Sequence, residues 1–146
     1  MPNAISTPLF HLIKTLSKAE KRNFRLYVNR GSGSDAVLFV QLFDVLDKQK
    51  TYDEEAVFKR IPMMKRKQLS NDKRHLYKQL LTSLRLIEIQ KNIDLQIREQ
   101  IDFAKILYNK GLYLQSLKML DKVKSLAQDS HQEILELEVI ELEKLI

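Results

Sequence analysis

No cysteine occurs anywhere in the 146 residues. That absence excludes a disulfide framework, a thiolate zinc site and a cysteine nucleophile. Glycine and proline number only three each, too few for the regular turns that β architectures require. No run approaches the ~20 apolar residues needed to cross a bilayer. The apolar start "PLFHLIKTL" is broken by His11 and Lys14 and has no small-residue cleavage site, so it does not read as a secretory signal. A cytoplasmic location and no membrane partner are the expectations.

Catalytic and cofactor chemistry is equally scarce. His11, His75 and His131 are dispersed, without His-x-x-x-His or His-Glu-x-x-His spacing, and read as exposed or partly packed side chains rather than metal ligands. "RGSGS" (30–34) offers backbone amides, but a phosphate-cradling loop normally follows a strand and carries Gly-Lys-Ser/Thr. A flexible linker is the better reading. Asp53, Glu54 and Glu55 suit the favourable field at a helix amino terminus. Nothing pairs a nucleophile with a base. The sequence therefore predicts a non-enzymatic protein with no cofactor and no metal.

What is present is helical. Apolar residues make up 44% and charged residues 30% of the chain, a balance that suits one soluble domain or two small helical subdomains. The expected fold class is all-α. Apolar spacing of three and four recurs in Phe24, Tyr27 and Val28, in Phe39, Leu42, Phe43 and Leu46, in Leu76, Leu80, Leu84 and Ile87, and in Ile93, Ile97, Ile101 and Ala104. Three candidate capping boxes, Ser17 with Glu20, Thr51 with Glu54 and Ser130 with Glu133, precede such runs. Ser34 or Asp35 is a further candidate cap. The resulting plan places helices near 8–16, 18–29, 35–49 and 53–60, the last stopping before Pro62. A long helix follows from Ser70 to about 90, continuing or kinking near Asn92 towards Asn109. Helices at 112–128 and 131–146 complete it. An amino-terminal basic region, 1–90, precedes a repeat region, 91–146.

The stretch "LYNKGLYLQSLKMLDKVKSLA" (107–127) sets Gly111 between two helix-periodic runs. Glycine takes the positive φ that ends one helix and begins another, and small residues let helices approach closely. The order Ala104, Tyr108, Gly111, Tyr113, Ser116, Leu120, Val123 resembles the tetratricopeptide repeat (TPR) over about 94–127. The resemblance places Ala104 at the early small position of helix A and Tyr108 near its end. Ser116 and Leu120 take the small and bulky positions of helix B, and Val123 the later small one. It departs at Gln100, where the family favours tryptophan, at Val123, where it favours alanine, and in lacking a proline after Leu126. The first 90 residues resemble the opening of a group of uncharacterised bacterial proteins, in which a basic helical segment leads into TPR-like repeats. That resemblance implies no activity. It implies a chain that continues past Leu145 and Ile146, which end within an apolar-periodic helix.

Two functional expectations follow. The TPR-like region implies an interaction scaffold that binds a protein, peptide or helix in a concave groove, with Gln100, Lys105 and Asn109 in contact. The other is nucleic-acid association. Lys18, Lys21, Arg22, Arg25 and Arg30 cluster in the second helix, and Lys59, Arg60, Lys65, Arg66, Lys67, Lys73, Arg74 and Lys78 crowd around Pro62. On one face these would attract phosphate backbones, with Lys21, Arg22, Arg25, Lys65, Arg66, Lys67, Lys73, Arg74 and Lys78 as contacts. The competing reading makes them the solvated faces of amphipathic helices. A helix-turn-helix spanning 53–84 would present Asn71, Lys73, Arg74 and Lys78, though its turn exceeds the usual three or four residues. The acidic last helix carries Ile134, Leu135, Leu137, Ile140, Leu142 and Leu145, more apolar surface than one neighbour covers. Self-association, as a homodimer, or burial against downstream repeats is the expectation.

Overall fold

The computed structural model of the chain describes residues 6–30 and 34–146. These form eight α-helices, and no strand occurs among them: α1 Ser6–Thr15, α2 Lys18–Arg30, α3 Ser34–Lys48, α4 Glu54–Arg60, α5 Arg66–Glu88, α6 Ile93–Asn109, α7 Tyr113–Asp129 and α8 Glu133–Leu145. The all-α expectation holds. Residues 31–33 and the side chains of Ser34 and Asp35, where the sequence suggests a flexible link and a cap, lie outside the described residues.

Of the three expected capping boxes, only the first forms as drawn. The Ser17 N–H donates to Glu20 Oε1 at 2.8 Å, and the Glu20 N–H donates to Ser17 Oγ at 3.2 Å. At α4 the cap is Asp53 rather than Thr51. Its carboxylate accepts from the Ala56 N–H at 3.3 Å, while the Gln49 amide brackets the Asp53 backbone from both sides. Ser130 closes α7 instead of opening α8, because its hydroxyl turns back to the Leu126 carbonyl. Gln132 occupies the α8 amino cap without a side-chain bond.

Pro62 ends α4 as expected, since the residue before proline is barred from the helical region and Ile61 takes φ −128° and ψ 78°. The following loop is shorter than the sequence suggested. It spans five residues, 61–65, and α5 begins at Arg66 rather than Ser70. The extra turn brings Leu69 onto the stripe of Leu76 and Leu80, all at most 1% exposed. It also aligns Arg66 with Glu55, in a paired contact at 2.8 and 2.9 Å. The question of continuity near Asn92 resolves as a break. Asn92 caps α6 by accepting from the Asp94 N–H at 3.0 Å, and its own N–H donates to the Glu88 carbonyl. A side chain bonded to its neighbouring backbone competes with helix continuation.

The chain divides into two compact units, 1–85 and 86–146, a boundary inside the last turn of α5. In the first, Leu9, Ile13, Phe24, Leu42, Phe43, Leu46, Val57, Leu69, Leu76 and Leu80 form the core, with the Phe24 and Phe43 rings 4.9 Å apart. The second has its own core of Ile97, Ile101, Ala104, Leu120, Val123, Ala127, Leu135 and Val139. Each buried valine, leucine or isoleucine among them contributes roughly 1.5–3 kcal/mol.

Within the second unit α6, α7 and α8 begin 20 residues apart, at Ile93, Tyr113 and Glu133. α6 and α7 run antiparallel. Ala104 meets Ser116 near the turn, while Gln96 and Gln100 share a depression with Val123, Leu126 and Asp129 towards the far end. Gly111 has φ +79°. The Gly111 N–H donates to the Tyr108 carbonyl and the Leu112 N–H to the Leu107 carbonyl, both at 2.9 Å, which is the Schellman closure. The turn after α7 repeats it with a different residue. His131 has φ 58°, its N–H donates to the Gln128 carbonyl at 3.2 Å, and the Gln132 N–H donates to the Ala127 carbonyl at 2.8 Å.

Candidate functional site

α8 packs along the hairpin and touches both α6 and α7. Leu135 and Val139 anchor it in the core, and complementary charges flank the contact. Lys105 Nζ lies 3.5 Å from Glu138 Oε1, and Lys124 Nζ lies 3.0 and 3.3 Å from the Glu143 carboxylate. The hydrogen bond to Glu143 holds the Lys124 ammonium above its ordinary pKa. Between α6 and α8 a groove opens over α7. It is a cleft of about 220 Å³ with Ala104, Ser116 and Leu120 in the floor, Tyr108, Leu142, Leu145 and Ile146 in the walls, and Lys105 and Asn109 at the rim. A separate depression of about 240 Å³ is lined by Arg98, Ile101 and Asp102 of α6 and Glu138 of α8.

The three residues expected to contact a partner do not share this groove. Lys105 and Asn109 lie at its rim, but Gln100 lines an open depression of about 620 Å³ with Gln96, Glu99 and Leu126, bordered by no residue of α8. Gln100 and Lys105 are five positions apart, about 140° around a helix. The buried stripe of Ile97, Ile101 and Ala104 runs between those two sides. Tyr108, Leu142 and Leu145 also line the cleft; the sequence assigns Tyr108 to the end of a helix and Leu142 and Leu145 to an apolar face awaiting cover, but none of the three to partner contact. On α8, Leu135 and Val139 are buried, whereas Ile134, Leu137 and Leu145 are 80%, 62% and 69% exposed.

The nine cations expected to meet nucleic acid separate into two groups. Lys21 Nζ is 2.8 Å from Asp47, and the Arg25 guanidinium is 2.6 Å from Asp44 and over the Phe43 ring at 5.3 Å. Arg66 grips Glu55 with two bonds and lies 4.4 Å from the Phe58 ring centroid. That hydrogen bond, then the charge of Arg66, pulls the Glu55 carboxyl below its ordinary pKa, and the same contact raises that of Arg66. Lys73 is inside the fold, 1% exposed, where its ammonium donates to the Tyr52 hydroxyl at 2.9 Å and lies 5.2 Å from that ring. Arg22, Lys65, Lys67, Arg74 and Lys78 are exposed and make no ion pair among the described residues, whereas Arg66 is exposed but paired. The helix-turn-helix face expected to carry Asn71, Lys73, Arg74 and Lys78 is thereby corrected. Lys73 falls on the buried 69–73–76–80 stripe, the opposite side of α5.

Among the described residues, no cluster of His, Asp and Glu could hold a metal ion. No helix among them is long and apolar enough to cross a membrane. The class these features define is an all-helical protein of two separately packed units. Comparison with protein-family models, with curated proteins and with solved structures gives no match to this chain.

Proposed function

We propose that the chain is a non-enzymatic protein-interaction scaffold, built from TPR-like hairpins, whose α6–α8 groove holds a segment of a partner protein. The cleft beside Lys105 carries this reading. Its volume of about 220 Å³ falls below the roughly 300–1,000 Å³ of small-molecule sites, so it suits one large apolar side chain of a peptide or helix. An apolar floor with polar groups at the rim matches the anchoring pattern of helix-in-groove recognition. The helices support the stacked-repeat reading through their uniform spacing and matching turns, although α6 to α8 spans 40 residues where a TPR takes about 34. The small residues Ala104 and Ser116 occupy the helix contact, as the resemblance implies.

Selection of peptides from a random displayed library on the full chain tests this reading. The expected result is an enriched motif with one apolar anchor, bound at least ten-fold more weakly by Asn109→Arg and by Leu145→Glu and equally well by Gln100→Ala. No enrichment, or enriched peptides indifferent to Asn109 and Leu145, overturns it.

A further inference from the structure

The fold sorts charge in a way the net value conceals. Residues 1–85 contain 17 Lys and Arg against eight Asp and Glu, whereas residues 86–146 contain eight against 11. A chain of formal charge +6 thus combines a unit of +9 with one of −3. Within the first unit, Lys21, Arg25 and Arg66 each face a carboxylate, and Lys73 is buried. Three of the other cations lie together. Lys67, Arg74 and Lys78, with Asn71 among them, follow the spacing i, i+4, i+7, i+11 down the solvent side of α5, and all four are exposed. Leu69, Lys73, Leu76, Leu80 and Ser83 form the buried side opposite.

The stripe is cationic along its length. Lys67, Arg74 and Lys78 make no ion pair among the described residues. The carboxylates of α5 are Asp72, which is half-buried, and Glu88, ten residues beyond Lys78. At about 1.5 Å per residue the three cations lie roughly 10 and 6 Å apart along the helix. That reach covers several phosphates of one strand, which recur about every 3.4 Å along a duplex axis.

We propose that the solvent face of α5 binds the phosphate backbone of double-stranded nucleic acid through Lys67, Arg74 and Lys78. The contact is independent of sequence, because phosphate contacts position a protein without reading bases. A lipid surface fits less well. An interfacial helix needs a free apolar face to insert, and that of α5 is spent on the core.

The test uses the full chain and a labelled short DNA duplex. Three neutralised phosphates give a salt slope of about −2.7, or roughly 40-fold weaker binding at 200 mM than at 50 mM salt. The variant Lys67→Gln, Arg74→Gln, Lys78→Gln loses at least ten-fold in affinity at low salt. The charge-preserving variant Lys67→Arg, Arg74→Lys, Lys78→Arg retains binding, and so does Lys110→Gln, Lys118→Gln, Lys122→Gln, which removes equal charge from exposed positions of the second unit. Absence of duplex binding at 50 mM overturns the proposal. So does equal loss in the two glutamine variants, or association with phosphatidylserine vesicles but not with duplex. None of these outcomes depends on whether the α6–α8 groove binds a peptide.

Discussion

The Ser116 hydroxyl donates to the Ala104 carbonyl at 2.8 Å, across the interface between two helices and between residues that are each 1% exposed. The bond exists because neither residue is large. With only a methyl on one side and a hydroxymethyl on the other, the two backbones come close enough for a side chain of α7 to satisfy a main-chain acceptor of α6. Ser116→Ala is expected to cost about 1 kcal/mol, the net worth of one hydrogen bond. Ser116→Leu should cost about 1–3 kcal/mol, because it must push the helices apart. Urea unfolding measures both, and a leucine variant as stable as the wild type would show that the helices are not in close contact here.

The two turns that fold this unit place different residues in the same strained conformation. At φ +79° Gly111 has no side chain to clash, and a Cβ there would meet nothing within 4 Å, so the cost of Gly111→Ala is conformational alone, about 1–2 kcal/mol. His131 already bears that cost at φ 58°. His131→Gly is therefore expected to stabilise by about 1 kcal/mol, the opposite sign at the equivalent position. Thermal melts of the two variants in parallel check the pair, and a destabilised His131→Gly would mean that the imidazole makes a compensating contact.

Much of this was legible in the sequence, and the misses share a cause. Periodicity marks the helical stretches but leaves open the break between α5 and α6, which depends on the Asn92 cap, and Gly111 marks its turn because only glycine takes that φ without strain. The following turn carried no such mark, since His131 adopts the same conformation against its own preference. Two of the three capping boxes do not form: at α4 the carboxylate of Asp53, one residue before the helix, takes the cap in place of Thr51, and the Ser130 hydroxyl donates back to the Leu126 carbonyl and so closes α7. Lys73 was misplaced because its charge outweighed its position, although the spacing 69–73–76–80 already put it inside. Groove membership was not legible. It depends on which side of α6 receives α8, and one helix's sequence does not contain that choice.

Protonation tests the Glu55–Arg66 contact. The folded-state pKa of Glu55 lies below its ordinary value of 4.5, so the stabilisation is complete above the unfolded pKa and lost as pH falls through the folded one. The stability difference between wild type and Glu55→Gln is expected to be small and constant at neutral pH and to vanish in acid. Lys124 carries the opposite sign. Its folded pKa is raised above 10.5, so its contribution holds below that value and fades as pH climbs through the folded pKa. Denaturation of Lys124→Gln and wild type at pH 7 and at increasingly basic pH should show the two converging only in base. Added salt should shrink the difference most for the exposed Glu55–Arg66 pair and less for the partly buried Lys124–Glu143 pair.

Adjacent residues on α5 give the sharpest contrast between interior and surface. Lys73 places its stem in the core and its ammonium against Tyr52, while Arg74 points to solvent. Lys73→Ala leaves a void and strips the Tyr52 hydroxyl of its donor, so it should cost about 2–4 kcal/mol. Lys73→Met keeps the stem and should lose less. Arg74→Gln should leave stability within about 0.5 kcal/mol, as for other exposed positions, while weakening duplex binding. Measuring stability and duplex affinity on all three variants separates the roles, because folded Lys73→Met should bind duplex as tightly as the wild type. A Lys73→Met protein that keeps its stability and loses its affinity would place that ammonium on the nucleic-acid surface, contrary to the buried position found here.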